Sequence, residues 1–258
     1  MTVARIGVSA CLIGDRVRYD GGDKLNQRLL SIFESVDRVA VCPEAELGLG
    51  VPRPPMHLGV DGDRVRLVVT EDGRDLTDSM ESFAHRRLLE IGDLDGYVLK
   101  SKSPSCALTS APLGGRNTLG AGLFAARVMA DRPLLPVCEE GALESAGTAR
   151  HFVRRVFHAF RLRLLFAREW SVGDLERHHA RHEPLLSAHD PVATATLSTL
   201  LAAARDRSPV ELGMEYRVAA ASILEAEAAE GALLAIDGID VAERAALARC
   251  EQVVTTSD

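Results

Sequence analysis

Over the first 150 residues, short β-branched runs alternate with helical patterns, the signature of a mostly parallel sheet flanked by helices. Arg5 to Ala10, Asp37 to Cys42, Gly96 to Lys100 and Leu134 to Val137 read as strands. Lys24 to Ser35, Asp75 or Thr77 to Ile91, and Gly120 to Ala130 read as helices. Asp61-Gly62, inside the stretch Leu58 to Thr70, predicts a hairpin. After Gly147 the β-branched runs stop. Amphipathic patterns follow at His151 to Trp170, Val172 to His189, Val192 to Ala204, Val210 to Glu230 and Val241 to Val254. Asp190-Pro191, Arg207-Ser208-Pro209 and Asp237-Gly238 separate them. The expected architecture is α/β, a mostly parallel sheet with flanking helices over residues 1–148, followed by an all-α domain over 149–258.

Charge limits the partners. The 258 residues carry 30 basic and 37 acidic side chains, a formal charge of −7, which argues against a nucleic-acid groove over the whole surface and against DNA as a partner. No apolar run approaches the ~18 residues of a membrane span, and Met1 to Ala10 lacks the basic start of an export leader. A soluble, cytoplasmic protein is expected. Its five cysteines (Cys11, Cys42, Cys106, Cys138 and Cys250) are then reduced thiols with a metal or catalytic task rather than disulfides.

Three of them occupy equivalent places. Cys11 follows the first expected strand, Cys42 closes the second, and Cys106 lies shortly beyond the third. The carboxyl ends of parallel strands open on one edge, where ligands bind between loops, so this topology brings three distant thiols to one rim. Such a set answers to zinc with an open position, or to an iron–sulfur cubane with one iron free of protein ligands. Cys138, although it also ends a strand, and Cys250 are read as bystanders.

The strings Ser9-Ala10-Cys11-Leu12-Ile13-Gly14, Arg18-Tyr19-Asp20-Gly21, Cys42-Pro43-Glu44, Val51-Pro52-Arg53 and Lys100-Ser101-Lys102-Ser103-Pro104-Ser105-Cys106 resemble those of the thiouracil desulfidase family. The resemblance runs in order over about residues 4–150 and continues through Cys138-Glu139-Glu140-Gly141. It implies a Rossmann-like α/β domain with a [4Fe–4S] cluster on Cys11, Cys42 and Cys106, and non-redox removal of sulfur from a small thiolated pyrimidine. Glu44 would be the general acid–base group, and Ser103 or Ser105 would orient substrate or water. Ala107 departs from the family pattern, which usually has Gly there.

The tail string Leu175 to Pro191 resembles the YbgA-type module that accompanies this domain, and the resemblance fades beyond Ala204. His179, His182 and His189 share a helical face there, with Pro184 expected to interrupt the helix. Packing against neighbouring elements is the favoured role for these histidines over a metal or phosphate site. Between His151 and Asp190 seven Arg face five acidic residues, and Arg154, Arg155, Arg161 and Arg163 read as a solvated or salt-bridging face. Thiolated tRNA is a less favoured substrate. Two readings stand beside the desulfidase: a cluster-bearing sensor or binding module with the helical domain as partner surface, and a Cys₃-zinc hydrolase.

Overall fold

A computed structural model describes residues 3–114, 118–204, 207–226 and 241–252. The fold is α/β with an all-α part behind it. Four parallel strands form the central sheet in the order β2-β1-β5-β8: β1 (Arg5–Ser9), β2 (Asp37–Val41), β5 (Gly96–Leu99) and β8 (Val137–Glu139). A second sheet, in the order β4-β3-β6-β7, joins the hairpin of β3 (Met56–Asp61) and β4 (Arg64–Val69) to β6 (Ala111–Leu113) and β7 (Thr118–Gly120). The hairpin turns at Asp61-Gly62 as expected; Gly62 supplies the positive φ of 59° that the tight reversal requires.

Each face of the central sheet has its own core. On one side Ile6, Val8 and Val98 pack against α1 (Gln27–Ile32), α4 (Ala146–Phe166) and α8 (Val241–Gln252) through Leu29, Phe33, Phe152, Val156 and Phe157. On the other, Tyr97 and Leu99 meet α2 (Thr77–Ile91) and α3 (Leu123–Asp131) through Met80, Phe83 and Phe124, and the second sheet joins through Leu58 and Leu67. A third core ties the lower half of α4 (Leu162, Leu165) to α5 (Val172–His189), α6 (Pro191–Ala202) and α7 (Pro209–Glu225). The expected division near residue 148 falls in the first turn of α4, a helix shared between the sheet core and the tail core.

Several expectations shift. α1 is six residues long instead of twelve because Asn26, not Lys24, caps it, its side chain accepting from the Leu29 amide. β8 lies later than Leu134–Val137, pairing Val137, Cys138 and Glu139 with β5. Pro184 does not interrupt α5, which runs through it. The lost amide bond is outweighed by burial of Leu185 and Leu186 beside it, each about 1.5–3 kcal/mol. Asp237-Gly238 and the expected helix ends at Glu230 and Val254 lie outside the described residues.

Candidate active site

The three thiols share one rim. β2, β1 and β5 are adjacent and parallel, so the segments after their carboxyl ends lie side by side, and Cys42, Cys11 and Cys106 follow those ends. Their charges sense one another: Cys42 acts on Cys11, and both act on Cys106. Burial drives all three thiol pKa values up, Cys11 to about 11, because a thiolate in these surroundings loses its hydration. Lys100 and Arg18 act in the opposite direction on Cys11, and a hydrogen bond with Ser9 does so on Cys106. Among the described residues, no three His, Cys, Asp or Glu side chains converge as one metal ion would require.

Glu44 stands beside this rim, close enough to Cys106 to raise its pKa. Its Oε2 accepts from Arg53 Nη2 at 2.6 Å and Nε at 3.0 Å. Its Oε1 accepts from Ser105 Oγ at 2.9 Å. The Arg53 side chain is 3% exposed and that of Glu44 12%, so this is a desolvated, forked ion pair with one oxygen left to the serine. Arg53 also donates from Nη1 to the Val17 carbonyl at 2.9 Å, where Cys42 Sγ makes its own contact at 3.6 Å. One guanidinium thus ties the Glu44 carboxylate to the loop that borders Cys42.

The Cys106 loop is held by its own hydroxyls and by two acids. Ser103 Oγ accepts from the amides of Ser105 (3.2 Å) and Cys106 (3.0 Å), a local turn that sets the backbone of the thiol. Glu139 Oε1 accepts from the Leu108 amide at 2.8 Å and from Ser110 Oγ at 2.7 Å. Glu140 accepts from the Ser101 amide at 2.7 Å and binds the Lys100 ammonium. Gly122, at the start of α3, lies directly over this loop. A Cβ there would stand 2.4 Å from the Ser105 carbonyl carbon and 2.9 Å from the Cys106 amide nitrogen.

With this geometry in view, comparison with known proteins is informative. A model of the family described as 2-thiouracil desulfurase matches residues 6–140, more than half of the chain. The chain belongs to that family. It is similar to the uncharacterized protein YbbK of Bacillus subtilis strain 168, 29% identical over 129 residues that span 46% of this chain and 85% of that protein. Among solved structures it is similar to the [4Fe-4S]-dependent thiouracil desulfidase TudS, with 32% identity and a TM-score of 0.44 over 55% of this chain and 93% of that one. The family match ends before α4, so the helical tail lies outside it.

Within the family region, Ser9, Arg53, Glu139 and Glu140 sit inside the quoted strings, yet the sequence pattern assigns them no role, and Gly122 gives no signal beyond residue type. Cys138 is buried in the sheet, and Cys250 is buried in the core between α4 and α8, its thiol meeting the Ala246 carbonyl. The tail histidines are buried but do not share one site. His179 pairs with Ser198 Oγ at 2.8 Å and lies 3.3 Å from the Tyr216 hydroxyl. His182 Nδ1 donates to the His178 carbonyl, and His189 Nδ1 to that of Ala226. The Arg face is largely salt-bridged: Arg163 grips Asp95 at 2.7 and 2.8 Å, and Arg161 binds Glu243.

Proposed function

We propose that this member of the 2-thiouracil desulfurase family is a [4Fe–4S]-dependent desulfidase that releases hydrosulfide from the thiocarbonyl carbon of a thiolated nucleobase such as thiouracil. The observation that carries the reading is the placement of Cys11, Cys42 and Cys106 after three adjacent parallel strands, with Glu44 beside them. The donor set suits a cluster. Three soft thiols spaced along a rim match ligands that each take a different iron, whereas a lone zinc needs its donors within ~2.3 Å of one point. Held by those thiols, the cluster would supply a Lewis-acidic iron with an open position for a soft sulfur atom.

The chain's own residues supply the proton chemistry. Water adds its oxygen to the thiocarbonyl carbon, the carbon–sulfur bond breaks with both electrons going to sulfur, and a carbonyl and hydrosulfide result; no oxidant or reductant is consumed. Glu44 takes the water proton at Oε1 and returns it as the intermediate collapses. Arg53 holds the other oxygen, so the carboxylate keeps one orientation throughout. Ser105, bonded to Oε1, positions Glu44, and Ser103 positions Cys106 through the two amides it accepts from. In the same proposal, residues 149–258 form a YbgA-like helical module and the protein acts in the cytoplasm.

Anaerobic purification followed by iron and acid-labile sulfide assay, then hydrosulfide release from 2-thiouracil, 4-thiouracil and thiouridine, tests this reading. About four irons per chain are expected. Glu44→Gln should keep the iron and lose roughly 10²–10⁴-fold in turnover, the usual weight of a general acid–base group. Iron-replete protein that releases hydrosulfide from none of these compounds would point to a sensor or binding module. Stoichiometric zinc in anaerobic protein would point to a metal hydrolase.

A further inference from the structure

A cavity of about 610 Å³ opens at the end of the sheet opposite the thiols. Leu94 and Pro136, which line it, precede the amino ends of β5 and β8, whereas the cysteines follow carboxyl ends. One wall is a single face of α4, from Arg155 and His158 through Leu162 to Phe166, and α7 closes the far side with Met214 and Val218. The size and the mixed, mainly apolar lining are those of a small-molecule site between packed layers.

Four arginines line it against three acids, Asp93, Asp131 and Glu225. Arg132 spends Nη2 on the Leu88 carbonyl at 2.5 Å, while its Nη1 is buried with no hydrogen-bond partner among the described residues. His158 is 2% exposed, and neither ring nitrogen has a partner among them. Among the described residues Arg155 pairs at 4.0 Å with Glu225, a lining carboxylate whose side chain is 65% exposed. The remaining charges offset them little. Asp131 is engaged by Arg127 at 2.8 Å, Arg163 by Asp95, and Arg217 lies over the Phe166 ring; Asp93 and Glu225 are the other lining acids. Burial pushes the pKa values of Arg132 and Arg155 down, and it outweighs the opposing pull of Asp93 and Asp131 on Arg132 and of Glu225 on Arg155.

We propose that this cavity is a second ligand site, for a small organic anion whose apolar body lies between α4 and α7 and whose carboxylate or phosphate meets Arg132, Arg155 and His158. The inference is independent of the desulfidase reading, because it uses none of the rim residues.

The single tryptophan gives a local probe: Trp170 stacks on Phe166 with ring centroids 4.9 Å apart, and Phe166 lines the cavity. Titration of the full-length protein with anilinonaphthalene sulfonate should show one saturable site that quenches Trp170 by energy transfer. Phenyl phosphate and phenylacetate should each displace the dye at least about tenfold better than neutral phenylethanol, the margin of a charge-assisted contact. The stronger of the two names the headgroup. Arg155→Met should weaken both by about tenfold. Ala221→Phe, which narrows the cavity without touching a charge, should weaken the dye too. Equal displacement by phenylethanol, or an unchanged dye titration in folded Ala221→Phe, would overturn the proposal even if Arg155→Met failed to fold.

Discussion

At the thiol rim, buried Glu44 has a donor on each oxygen, from Arg53 and Ser105, whereas in the helical tail His158 is more deeply buried and, among the described residues, has no partner on either ring nitrogen. His178 and His182 are beside it, with ring centroids 5.6 Å from His158 and 4.2 Å from each other, and their Nε2 atoms also lack partners among those residues. The two regions solve polar burial differently. The rim keeps charge and satisfies it with forks and backbone amides, which fixes geometry. The tail keeps its imidazoles uncharged. Desolvation lowers the His178 pKa to about 3 and the His182 pKa to about 4, with Arg161, Arg181 and His179 adding repulsion, and it lowers His158 as well.

The sharpest test of the contrast is the ligand set. Cys11→Ala, Cys42→Ala and Cys106→Ala should each abolish iron content, whereas Cys250→Ala, buried against α4, should leave it unchanged; retention in any of the first three would break the reading of the rim. Next in size is Arg53→Met. Removing one partner of a buried ion pair strands the other, so stability should fall by about 3–5 kcal/mol in denaturant titration. A change below ~1 kcal/mol, the worth of exposed pairs, would mean the rim is no better organised than the surface.

The tail predicts a pH dependence of the opposite origin. Its histidines bind protons more readily unfolded, near 6.5, than folded. Their contribution is therefore complete above pH 6.5 and is lost as pH falls toward 4 and 3. Each adds a slope of at most about 1.4 kcal/mol per pH unit. Melting followed by circular dichroism should show the transition temperature dropping between pH 6.5 and 4.5, and replacing His158 and His178 with Gln should flatten that drop. The smallest effect is expected at Gly122→Ala. The added methyl meets backbone at the Cys106 loop, so the cost should be about 1–3 kcal/mol, with weakened retention of iron.

Much of the sheet was legible because its signals are local. β1, β2 and β5 are short apolar or β-branched runs bounded by polar turns, and Asp61-Gly62 marks its hairpin by turn chemistry alone. The rest of the second sheet, beyond that hairpin, was not legible. β6 joins β3 at the Leu58–Leu113 pairing, between residues far apart in sequence, and both β6 and β7 are three residues long, too short to show a period. In the tail, Pro184 reads locally as a break, but the buried Leu185 and Leu186 hold the helix across it. The candidate thiols were visible because equivalent strand ends are a topological property; their companions were not, since Arg53 reaches Glu44 only through the folded path of the intervening loop.

By itself the order of residues determined the kind of layering, the parallel connections and therefore the edge on which the three thiols emerge, because periodicity and strand direction are written in neighbouring positions. Only the tertiary structure decided which buried polar group has a partner. Pairing Arg53 with Glu44, leaving His158 without a partner among the described residues, and opening a cavity between α4 and the sheet depend on distances between segments that no local pattern encodes.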